Sequence, residues 1–366
     1  MFKEITIQQY LENGLIVPVI DVRSPKEFNH AHIPGAVNLP LFDDAERAII
    51  GITYKNEGKE VAILKGLEIV GPKMNPIVQK VLSSEFRVGS NPGDVSQNNK
   101  SFIMHCWRGG MRSKSMATLF DFAGINTKVI KGGYKAYRNE VRKIFSLPYN
   151  IIILGGRTGS AKTKILYELK KLGEQIIDLE KLANHKGSAF GDLGEDLQPS
   201  TEMFENLFYD ELKKLNPKKR VWIEDESHLI GTVFIPEEFW TEMRKAIVIY
   251  CDFPINERIN FLVNTYGDFN KDGVINSVNK ITKRLGGQHA KAALEYYEAG
   301  NLHEATKIVL VYYDKSYDHG LGQRKQENIH KIELLKINPE NNAIELINYL
   351  NQKLIAAEPL KKEISI

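Results

Sequence analysis

The sequence predicts an α/β protein with two domains, because a strand, a glycine-bearing loop and a helix start follow one another twice. The first occurrence runs from Ser101–His105 into the loop Cys106–Ser113, and the second from Tyr149–Leu154 into the loop Gly155–Thr163. Each loop points backbone N–H groups and the positive end of a helix at one spot, which favours a bound anion. We therefore expect two anion-binding loops, of which the first also carries a nucleophile, Cys106.

Length, charge and cysteine content narrow the class of protein. The 366 residues leave room for two domains, and a net charge of +3 argues neither for nor against nucleic acid. Cys106 and Cys251 fall in different domains, so no disulfide framework is indicated, and Cys251 is expected in a core. The N-terminus lacks a signal-peptide pattern, and no segment approaches the ~18 apolar residues of a membrane span. We expect a cytoplasmic protein without a membrane partner.

The first predicted domain covers residues 1–135, and its strands and helix alternate as in a parallel sheet. Residues 88–100 are polar and rich in Gly, Pro and Asn, which predicts a surface loop. Residues 136–149 are predicted to form a linker helix that Pro148 closes. Strands are expected at Leu15–Ile20, Ala36–Leu39, Ser101–His105 and Asn126–Ile130, and a helix at Arg112–Phe122 that Gly124 ends.

The second predicted domain covers residues 150–366 and has a doubly wound α/β pattern, in which apolar runs alternate with helical segments. The runs that fit buried strands are Ile151–Leu154, Gln175–Ile177, Arg220–Ile223 and Ala246–Cys251. Helices are predicted at Lys162–Leu172, Thr201–Leu215 and Ala343–Ala356.

The segments Asp21–Phe28 and His32–Pro40, followed by Cys106, resemble in that order the signature of rhodanese domains, which carry sulfur or selenium on one cysteine. Consecutive N–H groups ahead of a helix stabilise negative charge, so we expect a lowered cysteine pKa and a reactive thiolate. Arg112 and Arg108 add positive charge, and we expect all three side chains to be catalytic.

The spacing in this loop departs from the rhodanese pattern. Arginine follows cysteine by five residues in common rhodanese loops, whereas Arg112 follows Cys106 by six. The wider loop resembles that of dual-specificity phosphatases and arsenate reductases and would fit a larger atom or an oxyanion. An alternative interpretation is therefore a phosphatase or arsenate reductase fused to a kinase-like P-loop domain.

The second loop fits the P-loop pattern G-x-x-x-x-G-K-[ST], except that Ala161 replaces the last glycine. Backbone amides would wrap the phosphates, Lys162 would reach between them, and Thr163 would serve a magnesium ion. The substitution at Ala161 argues against ordinary nucleotide hydrolysis. The expected phosphate-binding residues are Gly156, Arg157, Thr158, Gly159, Ser160, Ala161, Lys162 and Thr163.

An acidic strand end follows this loop along the chain. Val221–Ile223 leads into Glu224, Asp225 and Glu226, which resembles a Walker B strand whose carboxylates hold magnesium. Asp225 and Thr163 are the expected ligands of such an ion. The alternative is an acidic cluster that caps a helix. Arg258 is either a phosphate clamp or a surface arginine.

Several further segments are unexplained by a rhodanese or P-loop pattern. The most specific runs from Asp178 to Gly191, and the others are Gly51–Tyr54, Gln198–Ser200, Glu224–Gly231 and Tyr312–Asp314. Together they resemble tRNA 2-selenouridine synthases over nearly the whole chain. Contacts with substrate are then implied for Asp178, Glu180, His185, Lys186, Ser188, Phe190, Glu224, Glu226, Ser227 and Arg258.

The resemblance implies an activity. Members of that family act on wobble 2-thiouridine in tRNAs for lysine, glutamate and glutamine, and they replace its sulfur with selenium from selenophosphate. The implied route first alkylates the sulfur with geranyl diphosphate and then displaces the S-geranyl group. The co-substrates are thus selenophosphate and geranyl diphosphate, without a permanent cofactor, and selenophosphate synthetase is an expected partner besides tRNA.

The individual roles stay open at the level of the sequence. His185 is a general acid, an RNA contact or a structural polar residue, while Ser188 and Phe190 bind substrate or shape a loop. Phe190 has a flat face on which an extruded base stacks in RNA-binding proteins. A third interpretation is a non-catalytic tRNA-binding or regulatory NTPase with a silent rhodanese domain.

Overall fold

The computed structural model describes residues 2–12, 17–83, 101–266 and 271–357. The chain divides into two compact units, of which unit 1 comprises Met1–Ile144 with Glu205–Asp210, and unit 2 comprises Phe145–Phe204 with Glu211–Ile366. Unit 1 therefore includes a short segment from the middle of the predicted second domain. The loop expected at 88–100 and the start of the strand expected at Leu15–Ile20 lie outside the described residues.

Unit 1 contains a parallel sheet of five described strands in the order β1-β5-β4-β2-β3. The register pairs Asp21 with His105, so the carboxyl ends of the two strands lie side by side at one edge. The strands are β1 (Lys3–Ile5), β2 (Val19–Asp21), β3 (Val37–Asn38), β4 (Ser101–His105) and β5 (Asn126–Ile130). The sequence placed β4 and β5 to the residue.

The helices of unit 1 enclose a core against this sheet. Ile20, Met104 and Val129 on the strands pack with Met116 and Phe120 on the helix that follows the Cys106 loop. The helices are α1 (Ile7–Glu12), α2 (Pro25–His30), α3 (Asp44–Asn56), α4 (Lys59–Val70), α5 (Met74–Leu82), α6 (Met111–Phe122) and α7 (Gly133–Ile144). The helix expected as a linker at 136–149 is α7, which begins earlier and belongs to unit 1.

Unit 2 contains a second parallel sheet of five described strands, in the order β12-β11-β6-β8-β7, and a two-stranded antiparallel ribbon, β9–β10. The strands are β6 (Asn150–Gly155), β7 (Gln175–Ile177), β8 (Arg220–Glu224), β9 (Leu229–Ile230), β10 (Val233–Phe234), β11 (Ile247–Asp252) and β12 (Ile329–Glu333). Central strand β6 delivers the P-loop, and β8 beside it delivers the acidic strand end.

The remaining helices are α8 (Lys162–Lys171), α9 (Leu179–Ala183), α10 (Thr201–Leu212), α11 (Glu237–Lys245), α12 (Ile255–Tyr266), α13 (Lys271–Leu285), α14 (Gly287–Glu298), α15 (Leu302–Gly322) and α16 (Pro339–Ala357). Helices α13, α14 and α15 bury a small core of their own around Val278, Ile281, Ala293 and Val309. In the described part of the chain, no helix has the length and apolar character that a membrane crossing requires.

Candidate active site

Cys106 lies at the carboxyl end of β4, directly before the turn that starts α6 at Met111. Its side chain is 3% exposed. The sulfur accepts a hydrogen bond from the backbone N–H of Gly110 at 3.3 Å and lies 3.3 Å from the hydroxyl of Ser113. The Sγ atom therefore faces the amino end of α6, where the helix dipole favours negative charge.

A second turn holds the Cys106 loop in place. The N–H groups of Tyr134 and Lys135 donate to the carbonyl oxygens of Cys106 and Trp107, both at 2.9 Å. Gly133 has a φ of +57°, and a Cβ atom there would come within 2.2 Å of the Cys106 carbonyl oxygen. Glycine is required at this position by backbone conformation and by the close approach of two loops.

The two arginines of this loop lie in different environments. Arg112 forms a two-pronged ion pair with Glu27 of α2, and its side chain is 16% exposed. This pairing holds the pKa of Glu27 below its ordinary value, although burial opposes the shift. Arg108 is exposed. Thus Arg112 joins the loop to α2 through Glu27, and Arg108 is the arginine that is open to an incoming substrate.

Beneath the loop lies a buried polar group that the sequence indicated only as part of a signature. Arg23 donates two hydrogen bonds to Asp21 from Nε and one from Nη2, and its guanidinium lies 4.0 Å from the ring centre of Tyr134. Burial raises the pKa of Asp21, but His105 and Arg23 outweigh it and hold that pKa below its ordinary value. The group fixes the strand ends from which Cys106 emerges.

The P-loop in unit 2 has the backbone conformation that its sequence pattern predicts. Gly156 and Gly159 have φ values of 153° and 86°. Ala161 stands where the pattern has its last glycine and has a φ of 53°, in the left-handed region, as the residue before α8. The alanine thus adopts the glycine conformation at a cost of roughly 1 kcal/mol.

Side chains of the P-loop are held by partners within unit 2. Lys162 Nζ donates to the Gly156 carbonyl oxygen at 2.9 Å, and the Thr163 hydroxyl donates to Glu180 at 3.1 Å. The Ser160 hydroxyl donates to the carbonyl oxygen of Arg157. Arg157 pairs through two nitrogen atoms with Asp318 of α15 at 2.8 and 2.9 Å.

Arg258 braces the P-loop from below and is not a surface arginine. It is 2% exposed, donates to the Thr158 carbonyl oxygen at 3.0 Å, and forms two hydrogen bonds with Asp314 at 2.7 and 2.9 Å. Both nitrogen atoms that a phosphate clamp would use are therefore engaged. Arg258 thus contacts the P-loop through the carbonyl oxygen of Thr158, which matches neither of the two interpretations drawn from the sequence.

Asp225, expected as a magnesium ligand with Thr163, is engaged elsewhere. Its carboxylate accepts hydrogen bonds from the Tyr317 hydroxyl at 2.8 Å and from Arg324. The Tyr317 hydroxyl in turn accepts from the Gly156 N–H at 2.8 Å. The carboxylate therefore anchors α15 to the P-loop, because the end of β8 turns this side chain toward Arg324.

Other carboxylates surround Thr163 and Lys162. Burial and then the charges of Glu180, Asp178 and Glu226 raise the pKa of Glu224 well above its ordinary value. Burial and Glu180 likewise raise the pKa of Glu226. Both carboxyl oxygens of Glu224 are buried without a hydrogen-bond partner in the described part of the chain. No group of three or more His, Cys, Asp and Glu among those residues has the geometry of a metal site.

The segment from Asp178 to Gly191 forms one wall of this site. Asp178 caps α9 and accepts from the Tyr167 hydroxyl at 2.9 Å. His185 is 9% exposed, burial lowers its pKa, and its Nδ1 accepts from the Gly187 N–H at 3.2 Å. Lys186 pairs with Glu195 at 2.7 Å. His185 therefore shapes the loop through its backbone contact.

Ser188, Phe190 and Ser227 also lie on the walls of the site. The Ser188 hydroxyl accepts from the Phe190 N–H at 3.2 Å. The Phe190 ring lies 6.4 Å from the ring of Tyr313 on α15, and both line an apolar cavity. Ser227 is exposed and faces a large groove.

Two neighbouring cavities share lining residues beside the P-loop. The larger is an open groove of about 1410 Å³ that is lined by the P-loop, the carboxylates and Lys186. The smaller has a volume of about 110 Å³ and is lined almost entirely by apolar side chains of α12 to α15. Thr158, Ser188, Leu262 and Tyr313 line both. The apolar cavity therefore lies next to the groove that contains the P-loop.

Sequence reasoning named Asp314 only as part of the segment Tyr312–Asp314, and it missed Tyr317 and Asp318, which α15 also contributes. Asp314 pairs with Arg258, and Asp318 pairs with Arg157. Tyr317 forms hydrogen bonds with Asp225 and with the Gly156 N–H. Their spacing along the chain was a usable signal, because residues three and four apart lie on one face of a helix.

Two family models match the chain. A rhodanese-like domain model matches residues 6–140, and the model described as the tRNA 2-selenouridine synthase AAA domain matches residues 149–339. The chain belongs to the tRNA 2-selenouridine synthase family. Membership accounts for the Cys106 loop and the P-loop in one polypeptide.

Curated relatives support membership in the family. A tRNA 2-selenouridine synthase of Shewanella denitrificans is 33% identical over 86% of this chain and 91% of its own length. That of Bdellovibrio bacteriovorus is 38% identical over 68% of this chain and 64% of its own length. That of Sulfurovum sp. is 33% identical over 82% of this chain and 88% of its own length.

Proposed function

We propose that the protein converts wobble 2-thiouridine of tRNA to 2-selenouridine, with geranyl diphosphate and selenophosphate as co-substrates and an S-geranylated nucleoside as intermediate. The observation that carries this proposal is the apolar cavity of α12 to α15, which shares Thr158 of the P-loop with the larger groove. A nucleoside triphosphate has no hydrocarbon tail that would fill such a cavity. A prenyl diphosphate has both a diphosphate end and a hydrocarbon end.

In the first step, the thiouridine sulfur attacks the C1 atom of the geranyl group. A sulfur–carbon bond forms, the carbon–oxygen bond to the diphosphate breaks, and pyrophosphate leaves. Charge grows on the leaving pyrophosphate, so the N–H groups of the P-loop and Lys162 stabilise the transition state. The proton from N3 of the nucleoside passes to solvent, which leaves a neutral S-geranyl product.

In the second step, selenium replaces the alkylated sulfur. The selenium of selenophosphate attacks C2 of the nucleoside, the C2–S bond breaks and geranylthiol leaves. Water then takes the phosphoryl group as phosphate. Cys106 lies at the amino end of α6, where the Gly110 N–H contacts its sulfur, and its proposed role is to position selenophosphate for this attack without forming a bond to selenium. Exposed Arg108 is the expected contact for the anionic donor.

The P-loop site has two oxygen-bearing side chains that are suited to hold a magnesium ion. A magnesium ion supplies positive charge that offsets the charge of a diphosphate. The residues that would hold it are Thr163 and Glu224, because the Glu224 oxygens are buried and lack partners within the described segments. Asp225 is excluded from this role by its pairing with Arg324.

Two matched variants test the two steps separately. tRNA carrying 2-thiouridine is incubated with the protein and both co-substrates, digested, and its wobble nucleoside is identified by mass. We expect Cys106→Ser to accumulate S-geranyl-2-thiouridine and Lys162→Ala to leave 2-thiouridine unchanged. Unchanged 2-thiouridine with the parent protein would contradict the proposal, and phosphate release from p-nitrophenyl phosphate would favour the phosphatase alternative.

The apolar cavity has its own test. Ala293 is 2% exposed and lines the cavity, so Ala293→Leu narrows the space for a ten-carbon chain. We expect the variant to lose most turnover of geranyl diphosphate and to keep turnover of five-carbon dimethylallyl diphosphate. Equal losses with both donors would show that the cavity does not hold the tail.

A further inference from the structure

The groove beside the P-loop has an aromatic wall that the proposed chemistry does not use. His228 follows β8, and Trp240 and Arg244 lie on α11. The rings of His228 and Trp240 are stacked, with centres 5.5 Å apart and planes 19° apart. The Arg244 guanidinium carbon lies 5.5 Å from the Trp240 ring centre. All three side chains line the groove.

Local contacts hold this wall in a fixed position. The Nε2 atom of His228 donates to the Ile235 carbonyl oxygen at 2.9 Å, and the Phe234 ring meets the imidazole edge-on at 5.5 Å. Arg244 donates to the Gly320 carbonyl oxygen at 3.0 Å. A platform that is rigid before binding loses little conformational entropy when a ligand stacks on it.

The remaining wall of the groove supplies positive charge. Lys164, Lys181 and Lys283 line it, in addition to Arg284. The carboxylates of the groove include Asp178, Glu180, Glu195, Asp225 and Glu226, of which Glu195 and Asp225 are paired with Lys186 and Arg324. Aromatic rings interleaved with cations are the pattern by which proteins bind single-stranded nucleic acid, with bases on the rings and phosphates near the cations.

We propose that the His228–Trp240–Arg244 stack is the platform on which an unpaired base of the RNA substrate stacks while its sulfur faces the P-loop. The inference rests on the proposed function, because that function brings an RNA loop to this groove. The cavity is large enough for a nucleotide beside a diphosphate. The indole ring supplies stacking for any base, and the lysines contact the adjoining phosphates.

The test measures RNA binding alone, so it does not depend on turnover. A labelled anticodon stem-loop RNA that contains 2-thiouridine is titrated with the full chain, without geranyl diphosphate or selenophosphate. We expect Trp240→Ala to weaken binding about tenfold, and Trp240→Phe to restore most of it, as stacking on one aromatic ring predicts. The matched control is Tyr296→Ala, an exposed aromatic on α14 that does not line the groove, which should bind like the parent.

A second measurement uses the parent protein and is independent of how the variants fold. A stem-loop with 5-bromouridine at the wobble position is irradiated with the full chain, and the cross-linked peptide is identified by mass. Cross-links to the segment 228–244 support the platform, and cross-links confined to other segments overturn it. Equal RNA binding by Trp240→Ala and the parent would also overturn it.

The outcomes separate this inference from the proposed function. If Trp240→Ala binds RNA normally and the parent still makes geranylated nucleoside, the platform is refuted and the reaction stands. If Trp240→Ala binds weakly but the parent makes no modified nucleoside, the platform stands and the reaction is refuted.

Discussion

The backbone N–H of Tyr134 donates to the carbonyl oxygen of Cys106 at 2.9 Å, so the turn before α7 supports the loop that carries this cysteine. The loop is therefore positioned by a contact 28 residues further along the chain, in addition to its own sequence. The same turn contains Gly133, whose lack of a side chain allows the two backbones to meet.

Gly133→Ala tests this support. The new Cβ atom would come within 2.2 Å of the Cys106 carbonyl oxygen and 2.4 Å of the Gly109 nitrogen, so the loop must move. We expect selenation to fall at least tenfold while geranylation is retained, measured by nucleoside mass analysis. Gly124→Ala is the control, because its φ is also positive but its Cβ meets nothing within 4 Å. Equal effects of the two substitutions would contradict the proposed support.

Substitutions at Ala161 test how much its left-handed backbone conformation costs in stability. Ala161→Gly removes a penalty of roughly 1 kcal/mol, which the greater freedom of glycine in the unfolded chain partly offsets. We expect its stability to lie within about 1 kcal/mol of the parent, whereas Ala161→Val, being β-branched, should cost about 2 kcal/mol or more. Thermal unfolding measures both. A valine variant as stable as the parent would show that Ala161 does not hold this conformation in solution.

Arg258→Met tests the brace beneath the P-loop. The substitution leaves Asp314 partly buried without its cation, which costs about 3 kcal/mol in comparable pairs. Denaturant unfolding should show this loss, and diphosphate binding should weaken because the Thr158 carbonyl oxygen loses its donor. The double variant Arg258→Met with Asp314→Leu should regain much of the stability but not the binding. Normal diphosphate binding by the double variant would refute the positioning role.

The raised pKa of Glu224 predicts that the stability of the protein depends on pH. Burial and the neighbouring carboxylates raise its pKa, so the folded state keeps a proton at pH values where the unfolded carboxyl, with an ordinary pKa of 4.5, has lost it. Stability is therefore highest below that ordinary pKa and falls as the pH rises through the raised value. Glu224→Gln should flatten the fall, measured as melting temperature against pH.

The control for this measurement is Glu238→Gln on the exposed surface of α11, which should keep the parent profile. A second measurement adds magnesium to the parent and to Glu224→Gln and compares their melting temperatures. If Thr163 and Glu224 hold the ion, magnesium raises the melting temperature of the parent above neutral pH and leaves Glu224→Gln unchanged. An equal rise in both proteins would exclude Glu224 as a ligand.

Local patterns account for the elements that the sequence predicted well. Strands β4, β5 and β7 lie at the predicted residues, because each contains β-branched or other apolar residues in a short segment next to polar residues or glycine. Helices α12 to α15 were not predicted, and neither was β12. The apolar residues of these helices form a cavity and a small core only when the four helices pack together. The sequence of a single helix does not show which of its residues line that cavity.

The sequence alone determined the position of both loops that are expected to bind an anion, since glycine spacing after a strand dictates where N–H groups point. Tertiary structure decided the partners of the charged side chains. Arg258 pairs with Asp314 across 56 residues, and Arg157 with Asp318 across 161. Such partners are invisible along the chain, because an ion pair depends on distance in space, and only the folded sheet and α15 bring these groups within hydrogen-bonding distance.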